Sequence, residues 1–144
     1  MVHVIRTFTV DRPAPTVLAY LSDFAHAEQW DPGTQSCTRV DDGPIRVGAT
    51  WHNVSKILGK STELEYRLEQ LDDEHLVLVG RNKTATSTDD ITVVPHELGA
   101  EITYEATVEL HGVAKLGSPI MQLEFDKLGD ETVSGIRDAV AALP

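Results

Sequence analysis

The sequence predicts an α+β fold in which a seven-stranded antiparallel sheet wraps around a long C-terminal helix, with two short helices after the first strand. Three observations predict it. Between residues 35 and 112 most segments alternate apolar and polar residues at the strand period of two. From about Lys115 to Leu143 the apolar residues recur at spacings of three and four. Ahead of both, the run FAHAEQWDPG at residues 24–33 closes a short helical stretch. There Phe24 and Trp30 stand at a helix-to-turn boundary, and Asp31, Pro32 and Gly33 stop the helix and redirect the chain.

Residues 2–10 are rich in β-formers and end at Asp11, Arg12, Pro13, Ala14 and Pro15, where paired prolines forbid a continuing strand and suit the first turn of a helix. Residues 16–22 place Val17, Leu18 and Leu21 at helical spacing, and residues 25–30 add a second short helix. A strand follows at 35–40 and a turn at 41–44, with a longer strand at 47–58. Strand 61–71 alternates Thr62, Leu64, Tyr66 and Leu68 with Glu63, Glu65, Arg67 and Glu69. Strands 75–83, 86–94 and 100–112 complete a meander of seven. The last places Ile102, Tyr104, Ala106, Val108 and Leu110 on one face, with Glu101, Thr103, Glu105, Thr107, Glu109 and His111 on the other. In the final helix Leu116, Ile120 and Leu123, then Met121, Phe125, Leu128, Thr132, Ile136 and Val140, form the apolar stripe. Ser118 begins it as cap, with Pro119 at the first helical position. Gly129 and Gly135 lower helix propensity, which close packing or a slight bend explains.

The 144 residues suit one domain, 1–144, and 41% hydrophobic residues supply one core with apolar surface left to line a pocket. Twelve basic against 23 acidic residues leave a net charge of −11, which repels phosphate and anionic lipid. Nucleic acid is therefore not an expected partner. No apolar stretch reaches the roughly 18 residues of a membrane span, and no basic segment leads into an apolar run near residue 1. A cytoplasmic protein is expected. Cys37 is alone, so no intramolecular disulfide forms. The triplets at Asn53 and Asn82 match the N-glycosylation pattern by chance, since both lie in strand-like sequence.

A metal site is not expected. The histidines at 3, 26, 52, 75, 96 and 111 include no helical i, i+4 pair, and no second histidine completes the pattern that His96 and Glu97 begin. No nucleophile elbow, phosphate loop or dinucleotide fingerprint is present, so no cofactor is expected either. What remains is a set of residues that strand alternation directs toward an interior. Tyr66 and Tyr104 share faces with Leu64, Leu68, Ile102 and Val108, so each hydroxyl needs an internal partner, in a pocket or in plain core. Trp51 and Asn53 share one face of their strand and His52 and Val54 the other, and the pattern leaves open which face is inner. An inward Arg81, on the face of Val77 and Val79, would favour an anionic or enolate ligand, whereas an outward one is an ordinary strand end. Met121 and Phe125 close the space from the helix side, and Trp30 borders it. Asp31 caps its own turn or serves as a carboxylate of the site.

The order of elements, with the local match of residues 24–33 and of Val47, Gly48, Ala49, Thr50 and Trp51, resembles the START-like (SRPBCC) superfamily with its helix-grip fold, in particular its polyketide cyclase/dehydrase-type members. The resemblance spans the whole chain. It implies a chamber between sheet and long helix that takes a small hydrophobic or aromatic molecule, lipid- or polyketide-like. It also implies, as an alternative, a cyclase or dehydratase in which pocket Tyr66, Tyr104, Arg81, Asn53 and His52 assist enolisation and loss of water. A third reading is an interaction module whose acidic surface engages a basic partner. A homodimer is compatible with each.

Overall fold

The computed structural model describes residues 1–57, 59–111 and 119–144. In chain order the elements are β1 (Val2–Val10), α1 (Ala14–Ser22), a 3-10 turn (Phe24–His26), α2 (Ala27–Trp30), β2 (Thr34–Arg39), β3 (Thr50–Ile57), β4 (Lys60–Leu71), β5 (His75–Arg81), β6 (Ala85–His96), β7 (Gly99–Leu110) and α3 (Pro119–Ala141). The strands form one antiparallel sheet ordered β1-β7-β6-β5-β4-β3-β2. The expected meander therefore holds from β2 to β7, and β1 departs from it. Its residues 2–10 pair with β7 in continuous register from Val2 opposite Val108 to Val10 opposite Ala100. The helical insert after β1 carries the chain from one edge of the sheet to the other, so the first and last strands become neighbours.

Several boundaries differ from the expected ones by one to three residues. The third strand begins at Thr50 rather than at residue 47, because Gly48 takes a φ of 100°, a left-handed conformation that ordinary side chains resist. The fifth ends at Arg81, where Asn82 Oδ1 accepts the backbone N–H groups of Thr84 and Ala85, both at 2.8 Å, and closes the hairpin. The sixth runs on to His96 through Pro95. The expected features at Leu58, Gly112 and Lys115 to Ser118, including the Ser118 cap and Leu116 in the stripe, lie outside the described residues.

Alternation sorts the sheet into two faces. The inner one carries Leu64, Tyr66, Leu68, Leu76, Leu78, Ile91, Val93, Ile102, Tyr104 and Ala106, all buried. On the outer face Glu63 meets His52 at 2.8 Å, Glu105 meets His3 at 2.6 Å, and Glu69 meets Arg67 at 2.5 Å and Arg81 at 3.3 Å. Exposed pairs of this kind contribute about 0–1 kcal/mol each. They make the glutamate rows a mixed-charge, solvated face rather than a bare acidic one.

In α3 the buried face is Gly129, Thr132, Ile136 and Val140. Ile120 and Leu123, expected in the stripe, are 65% and 69% exposed. At 100° per residue they point away from the line through Met121, Phe125 and Leu128. The two halves of the helix differ in how closely they approach the rest of the fold. Around Gly129 and Gly135 the approach is so tight that a Cβ would stand 2.5 Å from Val4 Cγ2 and 2.2 Å from the Trp30 carbonyl oxygen. Close packing thus explains both glycines. Toward the N-terminal half Met121, Phe125 and Leu128 are only half-buried, and there the helix stands off the sheet.

Cys37 is buried on β2. Burial pushes its thiol up to about 12, helped by the charges of Glu28, Asp31 and Asp23 and opposed by a hydrogen bond with Asn53. At pH 8 only about one molecule in 10⁴ then carries the reactive thiolate. Native protein is expected to resist a disulfide-exchange reagent for hours and to react with one equivalent as soon as urea unfolds it. Labelling of the native state at the rate of a free thiol would refute this.

Candidate functional site

Three fully buried rings form the closed end of the interior. Phe24 meets Trp30 edge-on at 6.1 Å and Trp51 edge-on at 6.3 Å between centroids, and lies tilted on Tyr66 at 4.4 Å. Asp23 holds this corner, its Oδ1 accepting both the Ala25 N–H and the Trp51 Nε1–H. Trp30 packs edge-on against Tyr104 at 6.0 Å. Its Nε1 has no hydrogen-bond partner among the described residues. That leaves a cost of about 1–3 kcal/mol for the ring packing to offset.

Tyr66 lies across its register partner Gly80, where a Cβ would approach the ring to 2.5 Å. Glycine on β5 is thus what lets this ring lie flat along the sheet. Its hydroxyl donates to Ser87 Oγ at 3.1 Å. Three strands away, on β7, the Tyr104 hydroxyl donates to Asp89 Oδ1 at 2.7 Å. Asp89 is 5% exposed. Burial pushes its carboxyl up to about 7, only partly offset by the Tyr104 hydrogen bond, and the charge of Asp31 pushes the same way.

Asp31 ends α2 under a directed chain of hydrogen bonds. Ser55 Oγ donates to Asn53 Oδ1 at 2.6 Å, Asn53 Nδ2 donates to Thr34 Oγ1 at 3.1 Å, and Thr34 Oγ1 donates to Asp31 Oδ2 at 2.9 Å. The Gly33 N–H donates to Oδ1 at 3.0 Å. Burial nevertheless holds this carboxyl above the ordinary carboxylate value, since the two hydrogen bonds from Gly33 and Thr34 only partly oppose it.

These polar groups face a chamber of about 410 Å³ between the sheet and the N-terminal half of α3. Leu64, Ala106, Val108, Leu110, Phe125 and Leu128 make its apolar walls. Asp31, Tyr66, Ser87, Asp89 and Tyr104 gather toward the aromatic end, and exposed Lys60 and Thr84 mark the other. No group of side chains able to hold a metal ion occurs among the described residues. No described helix is long and apolar enough to cross a membrane.

A family described as polyketide cyclase / dehydrase and lipid transport matches residues 1–142. The chain belongs to that family. Solved structures agree on its START-like, helix-grip fold. A START superfamily protein from Mycobacterium smegmatis superposes with a TM-score of 0.81 at 16% identity, covering 99% of each chain. A second, TTHA0849 from Thermus thermophilus, gives 0.79 at 15% identity, covering 98% of this chain and 97% of that one. The Zhui aromatase/cyclase from Streptomyces sp. R1128 gives 0.72 at 14%, covering 96% and 90%. At such identities the likeness concerns the fold alone. Among curated proteins none matches.

In this cyclase/dehydrase-family chain, four of the eight residues singled out from the sequence line the chamber: Tyr66, Tyr104, Met121 and Phe125. Three others are buried but set back from it. Trp30 and Trp51 belong to the aromatic end, and Asn53 acts on the chamber through Thr34 and Asp31. The question of the third strand is thereby resolved: Trp51 and Asn53 are inner, while His52 is outer and beside Glu63. Arg81 is a correction. It shares the outer face with Val77 and Val79 because Leu76, Leu78 and Gly80 take the inner one, and it is exposed beside Glu69. The residue that sequence reasoning missed is Asp89, with its neighbour Ser87. Both lie in phase with buried Ile91 and Val93 on β6, and a carboxylate on a buried parity is the signal that would have found it.

Proposed function

We propose that this protein binds a small hydrophobic or aromatic molecule, lipid- or polyketide-like, in the chamber between the sheet and α3. The carrying observation is the space itself: about 410 Å³ walled by aliphatic and aromatic side chains, with a few hydrogen-bonding groups gathered at one end. That size and mixture are typical of small-molecule sites. The family's description, which includes lipid transport, supports the same reading. Titration with a neutral environment-sensitive dye such as Nile red tests it. One saturable site is expected, and Val108→Trp, which fills the chamber from β7, is expected to weaken binding at least tenfold. Absence of saturable binding, together with no co-purifying molecule in native mass spectrometry, would sink the proposal.

A second reading, cyclisation or dehydration of a polyketide-like substrate, rests on Asp89. A buried carboxyl with a pKa of about 7, hydrogen-bonded to Tyr104, takes and returns a proton near neutral pH. General acid–base help of this type is worth about 10²–10⁴-fold in rate. Incubation of a reactive poly-β-ketone with wild type, Asp89→Asn and Tyr104→Phe decides it, with Arg81→Ala as an outer-face control. Identical product distributions from all four would reject catalysis.

A further inference from the structure

We infer that the chamber selects an apolar or aromatic molecule whose buried end carries a protonated amine, received by Asp89 and Asp31. The inference rests on the binding role proposed above and names the class of ligand. It follows from the direction of the hydrogen bonds. The Tyr104 proton is given to Asp89, the Tyr66 proton to Ser87, the Ser55 proton to Asn53 and the Thr34 proton to Asp31. Among the described residues the hydroxyls of Ser87 and, toward the other end, Thr62 accept a hydrogen bond and keep a proton for a ligand. What faces the space is therefore mostly lone pairs. Asp89 Oδ2 accepts from none of the described residues, although the side chain is more than nine-tenths buried and lines the chamber. Once Asp89 is ionised, above the value of about 7 to which burial pushes it, a guest that donates satisfies this oxygen and one that only accepts leaves it bare.

Charge points the same way. Among the described residues the charged ones lining the chamber are Asp31, Asp89 and Lys60, and Lys60 is exposed at the far end. A ligand carboxylate at the aromatic end would be a third anion in a poorly solvated space, within a chain of net charge −11. An ammonium group there meets two carboxylates and forms charge-assisted hydrogen bonds, while its apolar body contacts Leu64, Ala106, Val108 and Phe125.

Three probes sharing one ring separate the possibilities: 1-naphthylmethylamine, 1-naphthalenemethanol and 1-naphthoate, titrated calorimetrically at pH 8. This pH lies above the value of about 7 to which burial pushes Asp89. The amine is expected to bind at least tenfold tighter than the alcohol and the carboxylate weakest of all. In Asp89→Asn the amine is expected to lose tenfold or more while the alcohol changes by less than threefold. Asp31→Asn gives a smaller loss of the same sign. If the alcohol binds but the carboxylate equals or exceeds the amine, or if Asp89→Asn leaves the amine unaffected, the amine preference is overturned and the binding role stands. If none of the three binds wild type, the binding role itself falls and the preference with it.

Discussion

Asp89→Asn is expected to make the protein more stable above pH 7, by up to about 4 kcal/mol, while weakening it as a host for cationic guests. The sign comes from the direction of the shift. Burial raises the folded-state pKa of Asp89 from 3.8 to about 7. Between those values the unfolded chain has released the proton and the folded chain still holds it. The unfolded state binds fewer protons there, so the contribution of this group to stability falls as pH rises from about 4 to 7 and stays at its minimum above. Asparagine does not titrate, and its carbonyl oxygen still accepts the Tyr104 hydroxyl, so the variant keeps the hydrogen bond without the buried charge. Urea unfolding of both proteins at pH 5 and pH 8 checks the point. The gap between them should widen toward pH 8 in favour of the variant. A constant gap, or a variant weaker at pH 8 than at pH 5 relative to wild type, would show that Asp89 is hydrated in the folded state.

That prediction bears on why a carboxylate stands on the inner face of β6 at all. Nothing in packing calls for it, since an apolar side chain of similar volume would extend the row formed by Ile91 and Val93. A group that lowers stability at neutral pH, aimed into a chamber and satisfied on one oxygen by Tyr104, has the character of a site residue. The stability difference and the amine preference are two measurements of the same buried charge.

The element order and the inner faces were legible in the sequence because period-two alternation and period-3.6 striping are local properties. Tyr66, Tyr104, Met121 and Phe125 were found by those periods alone. Trp30 is expected from the sequence to border the chamber, and the alternation leaves the face of Trp51 and Asn53 open; all three are buried but set back from it, because whether an inner residue borders the chamber depends on what stands before it. Phe24, near Trp30 in the chain but far from β3 and β4, stands in the corner between the two tryptophans and Tyr66. Arg81 misled because the valines at 77 and 79 on its face are apolar, whereas the leucines at 76 and 78 on the opposite face are the buried core. Asp89 was hidden by composition. The polar run TSTDD at residues 86–90 has the look of outer-face or loop sequence, and only its parity with Ile91 and Val93 betrays it. The pairing of β1 with β7 has no local signal, since it joins residues about a hundred positions apart.

Gly135→Ala is expected to destabilise the protein by about 2 kcal/mol or more, although alanine in a helix interior normally gains about 1 kcal/mol over glycine. The added methyl would stand 2.2 Å from the Trp30 carbonyl oxygen and 3.0 Å from its carbon, and both are backbone atoms at the end of α2. Neither moves by rotating a side chain, so α3 has to back away from α2 along its most tightly packed turn. Gly129→Ala is the informative comparison. Its methyl meets Val4 Cγ2 at 2.5 Å, a side-chain atom that yields more readily, so a smaller loss is expected there. For a chain of this length each 1 kcal/mol lowers the midpoint by about 3–4 °C, and thermal unfolding should rank wild type above Gly129→Ala above Gly135→Ala. Because α3 is also one wall of the chamber, its retreat at Gly135 should loosen the grip on a neutral dye even though no lining residue has changed. A Gly135→Ala protein as stable as wild type would mean that α3 does not press on the end of α2.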